Sequence, residues 1–211
     1  SADWRLTGYG PDGIEVNGNY KIKLPMPGRH NAANALAILA TSELVGLVAE
    51  KMIGPLENFQ GVWRRTDYHG KLPSGAVVYD DYAHNPEKIA SCIKAIKETI
   101  SGRVIALFQP HGFGPLGFMR DELFFAVAEC LKSEDIFALL PVFYAGGTTS
   151  FKPSSAEVAV DYLQRGGAQY LDFADRNSAA KYLHENAGPN DAVLIMGARD
   201  NSLSDWAAAL I

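Results

Sequence analysis

The chain has 211 residues, 47% apolar and 20% charged, with a formal net charge of −5 and a pI near 5.5. This is the balance of a soluble globular protein, long enough for one large domain or for one domain plus a piece of another. Dispersed Lys and Arg argue against nucleic acid or anionic membrane as partner, no apolar run approaches the roughly 20 residues of a bilayer span, and SADWRLTGYG lacks the basic start and apolar core of a signal peptide.

Taken in order, the first 27 residues read as short strands joined by Gly, Asn and Pro turns. The Ala- and Leu-rich stretch HNAANALAILATSELVGLVAEKMIGPLENF reads as helix, broken at Gly54-Pro55 into shorter pieces. Asn58 to Tyr68 shows little periodicity and reads as a connector. From His69 onward strands and helices alternate. GAVVYDDY, RVIALFQPH, DIFALLPVFY, AQYLDF and AVLIMGA are the strands. Between them fall a helix with Ile89, Ile93, Ile96 and Ile100 on one face, one through Leu123, Val127 and Leu131, and one capped by Ser154 and Glu157. A helix around Ala179 to His184 and a last one at Trp206 to Ile211 complete the series. Cys92 and Cys130 lie in apolar surroundings and read as buried, reduced thiols, which fits a cytoplasmic protein.

Continuous apolar strands separated by amphipathic helices predict an α/β fold: a Rossmann-like, doubly wound, mostly parallel sheet, preceded by a small α+β piece. Ligands of such sheets bind beyond the carboxyl ends of the strands. Those ends carry DDYAH, QPHGFGP and GARDN.

Each polar cluster has two readings. In DDYAHNP, Asn85 and Pro86 suit the start of a helix. Asp80, Asp81, Tyr82 and His84 are left over, for a ribose, a cation or the fold itself. In GRHNAANALA, His30, Asn31 and Asn34 share helical spacing. They either offer donor and acceptor groups to an adenine edge or cap the helix. Arg64-Arg65 either clamps a phosphate or is solvated surface. No grouping of Cys, His and acids has the spacing of a metal site.

The order GRHNAANALA, FQGVWRR, VYDDYAHNPEKI, LFQPH, LIMGARD resembles the C-terminal part of the Mur ligases, most of all their alanine-adding members. The resemblance covers nearly the whole chain. It implies that residues 1 to 62 are the tail of a central ATPase domain and 63 to 211 a C-terminal ligase domain. It also implies an ATP-dependent amide ligase of peptidoglycan synthesis, in which a carboxylate of a UDP-sugar becomes an acyl phosphate and then meets an amino acid. ATP and Mg²⁺ would be held mainly by the central domain, itself preceded by a UDP-binding domain. By the same resemblance His30, Asn31 and Asn34 lie beside the nucleotide, Arg65 faces the ATP phosphates, and Asp81 binds the ribose, where substitution would weaken ATP use with little change in folding. Tyr82, His84 and His111 would serve the reacting carboxylate and the amino acid, with Arg65 and His84 catalytic.

The sequence departs from that pattern twice. A lysine-bearing phosphate loop is missing, and AGGTTS at 145 to 150 lacks the lysine. The chain is therefore expected to be an inactive fragment of a larger enzyme, with Ser1-Ala2 a cloning remnant. Where the alanine-adding members carry HRYSR, this chain reads HGFGP, so two cations are gone; Arg120 and Arg199 are the nearby candidates to compensate. A non-catalytic nucleotide- or partner-binding module, or a ligase for another acceptor such as a peptide, stands beside the main expectation.

Overall fold

In the computed structural model the described residues are 4–10, 12–144, 146, 148–150, 152–165 and 168–211. Ser1 and Ala2, and Ala145 and Gly147 of the AGGTTS run, fall outside them. Contacts divide the chain into two units, Ser1–Val62 and Trp63–Ile211.

In the first unit, β1 (Leu6–Gly10), β2 (Gly13–Val16) and β3 (Tyr20–Ile22) form an antiparallel sheet. Period-two alternation puts Ile14, Val16 and Ile22 on one buried face, against Ala32, Ala35 and Leu39 of α1 (Arg29–Leu44). The helical stretch does not break at Gly54-Pro55. Instead α1 ends at Gly46, whose φ of 81° is easy for glycine. There the Gly46 amide donates to Glu43 and the Leu47 amide to Ser42, the paired bonds of a Schellman stop. Gly54 and Pro55 sit inside the short α2 (Ile53–Glu57), after a 3-10 turn at Ala49–Met52. Proline is tolerated there because first-turn amides have no helical partner.

The second unit is a six-stranded sheet of β4 (Asp67–Lys71), β5 (Val77–Asp81), β6 (Val104–Gln109), β7 (Ile136–Leu139), β8 (Gln169–Asp172) and β9 (Ala192–Gly197). Its order is β4-β5-β9-β6-β7-β8, parallel except for β4. Strands β6 and β9, VIALFQ and AVLIMG, are buried along their whole length, as a sheet covered on both faces requires. One face is packed by α3 (Pro86–Lys97), α4 (Phe113–Ala128) and α5 (Ser155–Leu163). The other is packed by α6 (Arg176–Asn186) and α7 (Ser202–Ala209). The doubly wound, mostly parallel α/β fold is present.

Local chemistry sets the boundaries. Asn85 caps α3 through the Lys88 amide, Pro86 opens it, and Ile89, Ile93 and Ile96 are buried. The capping box of Ser154 and Glu157 forms, as does one between Asp175 and Ser178. Several expectations are corrected. The connector ends earlier, because Asp67–Lys71 pairs antiparallel with β5 as an edge strand. The third strand is only Ile136–Leu139, since Pro141 cannot donate to a ladder. Helix α4 spans Phe113–Ala128, so Leu131 lies beyond its end, and α7 starts at Ser202 rather than Trp206. Cys92 is buried, but Cys130 is only half-buried, and both are free.

Candidate functional site

Strand β9 returns between β5 and β6, and this crossing makes the switch point at which open α/β sheets hold ligands. Parallel register aligns Asp81 with Met196 and Gln109 with Gly197. Three polar strand ends, Asp81–His84, Gln109–His111 and Gly197–Asp200, therefore emerge on one rim. Gly197 leaves little room for a side chain, since a Cβ would lie 2.9 Å from the Leu203 methyl and 3.0 Å from the Gln109 carbonyl.

Beneath the rim lies Arg64, which is fully buried. Its Nε donates to the Asp80 carboxylate at 3.1 and 3.3 Å. Its Nη1 donates to the Asp200 carbonyl at 3.1 Å and its Nη2 to the Gly197 carbonyl at 2.6 Å. Burial pushes the Asp80 carboxyl above its usual range, against the pull of Arg64. A guanidinium held in this way is not available to a phosphate, which corrects the paired-arginine expectation for Arg64. The reason is backbone direction: φ is 55° at Arg64 and 50° at Thr66, so the chain turns both side chains inward and leaves Arg65 exposed.

Asp81 is buried as well. One carboxylate oxygen accepts from the Thr66 amide at 2.6 Å and the Thr66 hydroxyl at 3.2 Å. The other accepts from the Ala83 amide at 2.7 Å. These bonds run against the expectation that replacing Asp81 would change folding little. Of the readings open for Asp81, they support a part in the fold: it holds the Arg64–Thr66 turn against β5.

Tyr82, His84 and His111 come together. The Tyr82 and His84 rings meet edge to face at 5.6 Å, and those of His84 and His111 at 5.5 Å. His84 Nδ1 donates to the Tyr82 carbonyl at 2.9 Å, which leaves Nε2 as the ring's other hydrogen-bonding atom. Burial, and then the neighbouring His84 and Arg199, hold His111 below the usual histidine range. His111 is thus an uncharged acceptor at neutral pH, with a buried Nδ1 that has no partner. The Tyr82 hydroxyl accepts from the Arg199 amide at 3.4 Å, and the Tyr82 amide donates to the Arg64 carbonyl at 2.8 Å.

Sequence reading missed a second network. Arg176 donates to Gln109 at 3.3 Å and pairs with Asp200, whose other oxygen accepts from Ser202. Its one visible signal was Gln109, a lone amide ending an apolar strand. Arg120 pairs with Asp161 at 2.9 Å and so is not free to replace a missing cation.

The non-glycine residues with positive φ among the described part of this unit are Arg64, Thr66 and Arg199. All three belong to this rim, and such strain gathers where an arrangement serves function. In the first unit, His30 and Asn34 are exposed near the start of α1. Neither His30 nor Asn31 caps that helix. Gly28 holds the cap position, and Asn31 Nδ2 donates to the Pro27 carbonyl at 2.7 Å. Among the described residues no group of three or more His, Cys, Asp or Glu is arranged to hold a metal, and no helix is long and apolar enough to cross a membrane.

Residues 64–199, which span this rim, match the family model for the Mur ligase glutamate ligase domain. The chain belongs to the Mur ligase family. Among curated members it is 35% identical over 188 residues to the UDP-N-acetylmuramate–L-alanine ligase of Agrobacterium fabrum, covering 89% of this chain and 38% of that protein. It is 36% identical over 190 residues to the same-named ligase of Rhizobium etli, covering 89% and 38%. The chain thus spans about two fifths of the length of these Mur ligases. Among solved structures, the UDP-N-acetylmuramate–alanine ligase of Thermotoga maritima superposes with a TM-score of 0.68 at 25% identity, over 93% of this chain and 41% of that one. A murein peptide ligase of Psychrobacter arcticus shares the fold, with a TM-score of 0.59 at 22% identity over 100% and 44%.

Proposed function

We propose that the chain is the C-terminal portion of a Mur-type ATP-dependent amide ligase that joins an amino acid to UDP-N-acetylmuramate in peptidoglycan synthesis. In this reading residues 1 to 62 are the tail of the central ATPase domain and residues 63 to 211 are the C-terminal ligase domain. The observation that carries it is the rim itself: two imidazoles and a phenol gathered at the switch point of a Mur ligase domain, with an exposed arginine on the same rim.

In the reaction, a carboxylate oxygen of the sugar attacks the γ-phosphorus and ADP leaves. The amine of the amino acid then attacks the acyl carbon, the amide bond forms, a proton is lost and phosphate departs. Arg65 stabilises charge on the transferring phosphoryl group. His84 and His111 accept hydrogen bonds from the incoming amine and keep it unprotonated, and Tyr82 packs beside them at the reacting carboxylate. His30, Asn31, Asn34 and Asp81 serve the nucleotide. Asp81 does so with whatever acceptor capacity its three internal bonds leave.

Mg²⁺, when bound, neutralises charge on the ATP phosphates. In this reading ATP and Mg²⁺ are held mainly by the central ATPase domain. The chain alone is then inactive, its partners are the ATPase and UDP-binding domains of the same polypeptide, and its water-soluble substrates place it in the cytoplasm. HGFGP favours a second reading of the same chemistry, a ligase for another acceptor such as a peptide.

The test is phosphate release from ATP by the full-length protein with UDP-N-acetylmuramate and a panel of amino acids and short peptides. Release that requires both the sugar and one class of amine is expected. No amine-dependent release across the panel would make the unit a non-catalytic nucleotide- or partner-binding module.

A further inference from the structure

The second unit contains seven arginines. Arg64, Arg103, Arg120, Arg165 and Arg176 each pair with a carboxylate of the protein. Among the described residues Arg65 and Arg199 enter no ion pair. Both are exposed; Arg199 borders the Tyr82–His84–His111 cluster, and Arg65 follows Arg64, whose carbonyl accepts from the Tyr82 amide.

Arg199 is also held in place. Its backbone sits at φ 68°, a conformation unfavourable for a residue with a Cβ. Three bonds fix it: Arg64 grips the carbonyls of Gly197 and Asp200 on either side, and the Arg199 amide donates to the Tyr82 hydroxyl. The carboxylates around it are already engaged. Asp80 is taken by Arg64, Asp81 by Thr66 and Ala83, and Asp200 by Arg176 and Ser202. The Arg199 guanidinium lies close enough to His111 to disfavour its protonated form and, among the described residues, pairs with no carboxylate.

We propose that Arg199 binds the carboxylate of the amine acceptor and so sets the enzyme's preference for a free α-amino acid or peptide carboxyl terminus. This rests on the ligase reading above. A guanidinium fork matches the two oxygens of a carboxylate. With that end of the acceptor at Arg199, its amine reaches the imidazole acceptors of His84 and His111, and Arg65 remains for phosphate.

The experiment uses the full-length protein, unsubstituted and with Arg199→Met or Arg199→Lys, and measures KM for the preferred acceptor, for its carboxamide and for ATP. Arg199→Met is expected to raise the acceptor KM at least tenfold, leave the ATP KM within about twofold, and abolish discrimination between acid and amide. Arg199→Lys is expected to retain part of that discrimination, because it keeps the charge without the fork. Normal turnover with unchanged acid-over-amide preference in Arg199→Met would overturn this assignment and leave the ligase reading standing. An absence of acceptor-dependent turnover in the unsubstituted protein would overturn both. The exposed position of the side chain makes folding an unsuitable explanation for a KM effect confined to one substrate.

Discussion

Replacing Arg64 by methionine is expected to destabilise the chain by about 3–5 kcal/mol, the cost of leaving a buried charge without its partner. Asp80 has no solvent exposure and its carboxyl is already raised by burial, so once the guanidinium is gone it must either stay charged without compensation or take up a proton. His69, 4.0 Å away, is too distant to replace the two short contacts. The carbonyls of Gly197 and Asp200 lose their donors at the same time. For a unit of this size the loss corresponds to a drop in melting temperature of roughly 6–20 °C. Urea unfolding of the chain measures it directly. Adding Asp80→Asn to Arg64→Met removes the stranded charge and is expected to recover part of the loss, a coupling visible in the double-mutant cycle. Equal effects with and without Asp80 would show that the pair is not the source.

Asp81→Ala is expected to cost about 2–4 kcal/mol of stability, because it strands the Thr66 and Ala83 amides and the Thr66 hydroxyl in a buried setting. Asp81→Asn keeps one carbonyl acceptor but turns an amide group toward a donor, so about half that loss is expected. The same urea titration reads both variants. A midpoint unchanged in Asp81→Ala would remove the structural role. The consequence for function is practical: reduced ATP use in an Asp81 variant counts as loss of a ribose contact only at a temperature where the variant is fully folded.

How much was legible in the sequence varied with the range of the interaction. Helix starts set by neighbours, such as Asn85-Pro86 and Ser154-Glu157, follow from local hydrogen bonds and were readable. So were β6 and β9, whose continuous apolar runs suit only a strand covered on both faces. The rim was readable as three polar strand ends, and the convergence of Tyr82, His84 and His111 follows from parallel register around a switch point. The inward turn of Arg64 was not readable, because it depends on a left-handed backbone at 64 and on carbonyls more than a hundred residues away. The internal bonds of Asp81 were not readable because its partners, Thr66 and Ala83, carry no signal of their own. β4 was missed because an edge strand needs only one partner and so only weak alternation. The preference for Gly46 over Gly54-Pro55 as a helix stop is a case in which two breaker signals compete. A proline two residues into a helix is harmless, whereas a left-handed glycine is decisive.

In the proposed reading this rim serves a ligase that works through an acyl phosphate. The most direct measurement is isotope transfer in the full-length protein, with UDP-N-acetylmuramate labelled by ¹⁸O in its carboxylate and turnover driven by ATP and the acceptor amine. Attack by a carboxylate oxygen on the γ-phosphorus predicts one labelled oxygen in each phosphate released. Phosphate released without label, at the same rate as amide formation, would contradict the account.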